Sequence, residues 1–271
     1  MERGVSTGER VAADTLVVSE GRPDRAVTDR ILGFADEAGH RAALVDAADG
    51  TVTAWPRFAR TVRAAARGLG RRGLAEADTA GVFVEDAASA AIAVNAIRAA
   101  GATACLIHRD AGPAEIAVRL NACGARLLIT SAPLAELAAE GADRSRVRQV
   151  ISFGEAPGTT SFDSLLDTGW HGTGGESGHP EGNGQVHHDD VADGRGGELT
   201  RRDVVVAAPP CGDGHAYLSL LDLTLVTGAM LVAAPLPLVT TAMRVYRGTA
   251  AIVPSGTAVP GLPPGRVFPV A

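Results

Sequence analysis

Lysine is missing from this 271-residue sequence, and all 25 basic residues are arginine. A GC-rich coding bias accounts for most of that preference, but the chemical exclusion holds whatever its origin. Nothing here can act as a lysine Schiff base, a lysine acyl acceptor or an ammonium point charge on a phosphate. Cysteine is scarce: Cys105, Cys123 and Cys211 are odd in number, scattered, and form no CxxC pair. That excludes a disulfide framework and a thiolate zinc site, and it fits reduced, mostly buried thiols in a cytoplasmic protein. Residues 1–15 carry no apolar run of the kind a secretory signal needs. An excess of positive charge is missing too. The formal net charge of −6 excludes a non-specific nucleic-acid binder, because phosphates call for a basic face. Residues 216–239 come nearest to a membrane span, but Asp222, Gly228, Pro235 and Pro237 interrupt them. A helix followed by a buried strand is expected there, without membrane association.

What is present is the composition of a globular protein with a sizeable core, 46% hydrophobic and 21% charged. Residues 1–28 are polar and irregular, and are expected to form a flexible N-terminal arm ahead of a domain spanning 29–271. From Arg41 a rhythm begins. Residues 42–46 and 51–53 are expected as short strands around the turn Ala48-Asp49-Gly50. Residues 55–70 place Phe58, Val62, Ala66 and Leu69 on one helical stripe. Strands follow at 80–84, 103–107, 126–130 and 149–153, with helices at 87–100, 113–123 and 133–140 between them. Pro113 sits in a first helical turn, and Gly101 and Gly124 mark helix ends. Residues 154–197, rich in Gly, His, Asp and Glu, break the rhythm as a long loop. It returns with strands at 203–208, 230–234 and, last, 250–253, and a helix at 217–226. Continuous apolar strands separated by helices indicate an α/β fold, a mostly parallel sheet with helices on both faces.

The order of these fragments resembles the adenylate-forming superfamily of acyl-CoA synthetases and peptide-synthetase adenylation domains. Thr53-Ala54-Trp55-Pro56-Arg57-Phe58, the helix end at Gly68-Leu69, Arg72-Gly73-Leu74 and the strand Ala80–Val84 match its opening. Ala96–Ala102, Leu120–Thr130, Asp203–Val206 with Pro209, Thr227–Val232, and Tyr246–Thr249 with Val253-Pro254 continue in family order. The resemblance runs from about residue 38 to 262. It implies the front part of that family's large domain. The sequence ends at Ala271, ahead of the rest of the acyl pocket, the ribose-binding aspartate, the hinge and the small domain with its catalytic lysine. A truncated large domain is therefore expected.

The same resemblance assigns the phosphate loop. Gly175-Glu176-Ser177-Gly178-His179-Pro180-Glu181-Gly182, followed by Val186-His187, aligns with Gly-Thr-Thr-Gly-x-Pro-Lys-Gly and its downstream Thr-His pair. An intact loop wraps phosphates with backbone N–H groups, adds hydroxyl donors and supplies a lysine charge. Here Glu176 stands in place of a threonine and Glu181 in place of the lysine. A carboxylate a few ångströms from a triphosphate repels it by about 1 kcal/mol in water-like surroundings, and by more where the dielectric falls. The resemblance therefore implies an AMP-dependent synthetase or ligase relative that is impaired or inactive in carboxylate activation. No cofactor is expected, and ATP with magnesium binds only if this degenerate loop (Gly175, Glu176, Ser177, Gly178, Gly182) still holds phosphate.

Other departures bear on chemistry. Cys211-Gly212-Asp213-Gly214 lies where the family carries a Phe-His pair, and Leu106 lies where a proline is usual. His187, Asp213 and His215 are the candidate acids or bases, although a satisfied loop pair is favoured over a catalytic dyad for Asp213 and His215. The cluster of His171, His179, His187, His188, Asp189 and Asp190 matches no ligand spacing, so no metal site is expected. Ser255-Gly256-Thr257 reads as a structural turn. The alternatives to an impaired ligase are a non-catalytic scaffold and an ATP-independent enzyme using the old cleft. As partners, the sequence suggests a second copy or another protein covering the truncated face, or a small acyl ligand.

Overall fold

A computed structural model describes residues 25–166 and 199–271. The chain enters it through a helix, α1 (Arg25–Glu37), that begins inside the stretch expected to be an arm. Thr28, Ile31, Leu32 and Ala35 fall at helical spacing and are all buried. Thr28 Oγ1 donates to Asn95 Oδ1 at 2.9 Å, and Asn95 donates in turn to the Ala91 carbonyl at 2.9 Å. The arm boundary at residue 28 is thus too late by at least the first turn of this helix. The charged residues between the buried positions hid its stripe.

The expected hairpin is present as β1 (Ala42–Asp46) and β2 (Val52–Ala54), the one antiparallel pairing among the described strands. Its turn is held by the Asp46 and Asp49 carboxylates, which accept from Ala48 N–H and Thr51 N–H, each at 2.8 Å. Helix α2 (Trp55–Arg71) follows with proline in its first turn and Trp55, Phe58, Val62 and Leu69 buried. Next come β3 (Thr79–Phe83), α3 (Ala87–Ala99), β4 (Thr103–Leu106), α4 (Pro113–Ala122), β5 (Leu127–Ser131), α5 (Ala135–Asp143) and β6 (Gln149–Phe153). Each lies within a few residues of its expected place. Two short elements, β7 (Thr160–Ser161) and α6 (Asp163–Leu166), occupy the front of the stretch expected as a loop at 154–197. After residue 199 the chain forms β8 (Val204–Ala207), α7 (Gly214–Val226), β9 (Met230–Ala233), α8 (Val239–Val245), β10 (Ala250–Pro254) and β11 (Val267–Val270).

The α/β reading holds, with one refinement: the strands form two sheets. One has six strands in the order β11-β10-β8-β9-β1-β2, and the other five in the order β4-β3-β5-β6-β7. The last strand is β11, beyond the residues 250–253 expected to close the fold. It follows a Pro- and Gly-rich run and contains Pro269, which an edge strand accommodates because its N–H side needs no partner.

The largest core cluster joins both sheets through α1, α2, α3 and α7, uniting Val82 and Ile129 of one sheet with Leu44, Val205 and Leu231 of the other. Helices α4 and α5 cover the outer face of the five-stranded sheet, and α8 covers the outer face of the six-stranded one. Five layers result, with helices shared in the middle. In that middle layer Arg98 Nη1 of α3 donates to both carboxylate oxygens of Asp222 on α7, at 2.7 and 2.8 Å. Their side chains are only 10% and 15% exposed. Breaking a buried pair by removing one partner typically costs about 3 kcal/mol. Asp222→Ala is therefore expected to lower the unfolding free energy by about that amount, read by urea denaturation. A change under about 1 kcal/mol would mean the pair behaves like a surface bridge.

Candidate functional site

Parallel strands deliver their carboxyl ends to one side, and open α/β sheets place ligands in the crevice outside those ends. Here the two sheets bring such ends together. From the five-stranded sheet, β3 runs into Val84-Glu85-Asp86 and β4 into Ile107-His108-Arg109-Asp110. From the six-stranded sheet, β8 runs through Pro209-Pro210-Cys211-Gly212-Asp213 into α7. The edges touch: a Cβ placed on Gly214 would lie 3.3 Å from the Leu106 carbonyl oxygen.

The turn after β8 is packed backbone to backbone. Gly212 has φ +57°, and Asp213 N–H donates to the Ala271 carbonyl at 2.5 Å. Beneath it Tyr217 is fully buried, and its hydroxyl donates to the Ala208 carbonyl at 2.6 Å. Burial above all, with Cys211 and Asp86 adding electrostatically, holds the Tyr217 phenol well above its ordinary value. It is a neutral donor at any working pH. Burial likewise pushes the Cys211 thiol up to about 11, and Asp110 adds to the effect, so Cys211 is no ready nucleophile.

Asp213 and His215 do not form an acid–base pair. The Asp213 carboxylate caps α7, accepting from the backbone N–H of His215 at 3.0 Å. Both residues are exposed, and it is the His215 backbone, not its imidazole, that meets the carboxylate. An aspartate just ahead of a helix meets its free N–H groups first. His187 and the phosphate-loop residues Gly175, Glu176, Ser177, Gly178 and Gly182 lie outside the described residues, as do the histidines and aspartates between 171 and 190. Among the described residues no group of three metal-type ligands gathers.

The structure brings forward a cluster the sequence reading passed over. His108 Nδ1 accepts from the Asp110 backbone N–H at 3.1 Å, so the neutral ring carries its proton on Nε2. Arg109 Nε approaches Asp110 Oδ1 to 3.4 Å but is too poorly aligned for a hydrogen bond, and it is buried without any other partner. On the same rim, after the neighbouring strand β3, Asp86 caps α3, accepting from Ser89 N–H at 2.7 Å and Ser89 Oγ at 2.6 Å. Glu85 N–H donates to Ser131 Oγ at 3.1 Å. Burial raises the Asp46 carboxyl at the end of β1 against the opposing hydrogen bond from Ala48, and nearby Asp49 and Asp86 add to the rise. A His-Arg pair directly after an apolar parallel strand was the available signal. The rim thus carries Asp46, Glu85, Asp86, Asp110 and Asp213 against Arg109, which is unusual for a polyphosphate site. A separate cleft of about 300 Å³ lined by Arg72, Arg126, Arg148 and Gln149 lies at the opposite, amino ends of β5 and β6.

A family model for AMP-binding enzymes matches residues 33–236. The chain belongs to the AMP-binding enzyme family. Solved members of similar fold include a long-chain-fatty-acid–CoA ligase from Archaeoglobus fulgidus, at TM-score 0.66 and 16% identity over 86% of this chain and 52% of that one. A benzoate CoA ligase from Burkholderia xenovorans LB400 gives 0.65 and 16% over 84% and 50%. The amide bond synthetase McbA from Marinactinospora thermotolerans gives 0.62 and 19% over 86% and 49%. The chain therefore spans about half the length of these AMP-binding-family structures. No curated protein sequence matches it. Among the described residues no helix is long and apolar enough to cross a membrane.

The capping role of Asp213 predicts its own mutational pattern. Asp213→Ala should destabilise the protein by about 1 kcal/mol while Asp213→Asn leaves it nearly unchanged, both read by thermal or urea unfolding. His215→Ala should fall within about 0.5 kcal/mol of the parent. A large loss for His215→Ala would restore a paired role for its imidazole.

Proposed function

We propose that this AMP-binding-family chain is impaired, to the point of inactivity, in ATP-dependent carboxylate activation. The observation that carries the reading is Glu181 at the phosphate-loop position where the family places lysine, with Glu176 beside it and no lysine elsewhere to compensate. Magnesium–ATP keeps a net negative charge. Two added carboxylates repel it, and the transferring charge lacks the cation that would stabilise it. The carboxylate-rich rim formed by Asp46, Glu85, Asp86 and Asp110 supports the same reading from the described part of the molecule. A small uncharged acyl ligand suits this rim better than a polyphosphate.

The name of the fatty-acid relative and that of the benzoate relative specify acid–thiol ligation, so pyrophosphate exchange across fatty and aromatic acids is the appropriate assay. The chain should show no exchange above background, and calorimetry with magnesium–ATP should stay silent up to millimolar concentration. Micromolar binding or robust exchange would overturn the proposal. Glu181→Lys reverses one charge near the triphosphate, worth about 1.4 kcal/mol or tenfold in affinity. It should therefore raise nucleotide affinity by at least that factor.

A second reading, a non-catalytic protein that self-associates, draws on the apolar residues Leu236, Leu238 and Val245, which are 45%, 38% and 62% exposed. Light scattering coupled to size exclusion separates the two. A strict monomer at tens of micromolar would remove the second reading.

A further inference from the structure

We propose that Cys105 and Cys123 form a reversible dithiol–disulfide pair, a modification site for low-molecular-weight disulfides such as oxidised glutathione. The geometry comes from strand register and helix phase. Cys105 lies on β4 between Ala104 and Leu106, which pack toward the middle layer, and two residues before Ile107, which packs against α4. Alternation therefore turns Cys105 toward α4. Its register partner on β3 is Gly81, where an added Cβ would lie 2.6 Å from Leu120 Cδ2 of α4. Ile116, Leu120 and Cys123 follow one helical face at spacings of four and three, so Cys123 faces the same strands. The two thiols thus face one another between β4 and α4, close enough to perturb each other electrostatically.

The contact also divides the roles. The interaction between the two thiols holds Cys105 above its ordinary value and Cys123 below it; burial raises Cys105 further. Cys123 S–H is in turn 3.6 Å from the Leu120 carbonyl. Cys123 is accordingly the attacking thiol. As a thiolate it attacks one sulfur of the oxidised glutathione, forming a mixed disulfide and releasing one glutathione thiolate, which takes up the Cys123 proton. Cys105 then loses its proton and attacks Cys123 Sγ, releasing the second glutathione. One external disulfide is reduced to two thiols and two protein thiols become one disulfide. Both cysteines are half-buried and β4 is an edge strand, so a small oxidant has access. The closed bond would tie together the two flanks of the segment that carries His108, Arg109 and Asp110 to the crevice.

The test treats the reduced full-length chain with oxidised glutathione, blocks free thiols and digests with trypsin without reductant. Mass spectrometry should find the peptide Ala99–Arg109 linked to Leu120–Arg126, with two free thiols lost per chain. Cys105→Ser should stop at a glutathione adduct on Cys123, and Cys123→Ser should slow modification of Cys105 by about tenfold. Separate glutathione adducts persisting on both peptides of the parent chain would overturn the proposal. So would linkage of either cysteine to Cys211 or to a second chain.

Discussion

Two sheets bury one face each against the same layer of helices, and the rest of the molecule depends on that sharing. A helix that serves two sheets cannot afford a polar face. Helix α3 shows the consequence: Ala87, Ala90, Ala91, Ala93, Val94, Ala96 and Ile97 are all essentially inaccessible to solvent. Two polar pairs admitted to this layer are mutually satisfied, while the buried Trp55 Nε1 has no partner. Thr28 meets Asn95, and Arg98 meets Asp222. Both contacts fix how α3 sits against its neighbouring helices, and through them how one sheet sits against the other.

Sequence periodicity reported this architecture well wherever burial was complete. Continuous apolar runs located β3, β5, β8 and β10 because strands covered on both sides have no solvent face to interrupt them. It failed where burial is partial. Helix α1 has charged residues at Arg25, Asp29 and Arg30 around its buried stripe. Helix α8 is seven residues of mixed β-branched character, too short for a period to show. Strand β11 contains a proline that argues against a central strand and is silent about an edge one. The division into two sheets was not legible at all, since strand order is a tertiary property that no local pattern encodes.

The candidate site divides the same way. For Asp213 and His215 the sequence favours a satisfied loop pair over a dyad but does not name the partner, which is the backbone N–H of His215 at the start of α7. His108 and Arg109 were overlooked because a polar pair after a strand is ordinary until a second sheet arrives opposite it. The family resemblance, by contrast, rested on the order of many weak fragments, and a match over residues 33–236 agrees with it. Family membership is thus firmer than any residue role.

The alanine surface of α3 has a further meaning. Because that helix projects little beyond its own backbone, it acts as a thin spacer, and its thickness gauges the width of the gap between the two carboxyl edges. The close approach of Gly214 to Leu106 is what a narrow gauge produces at the mouth. Relatives with bulkier residues along this helix would open a wider mouth over the same rim. Ligand size in such a fold would then be tuned from a buried helix that no ligand ever touches.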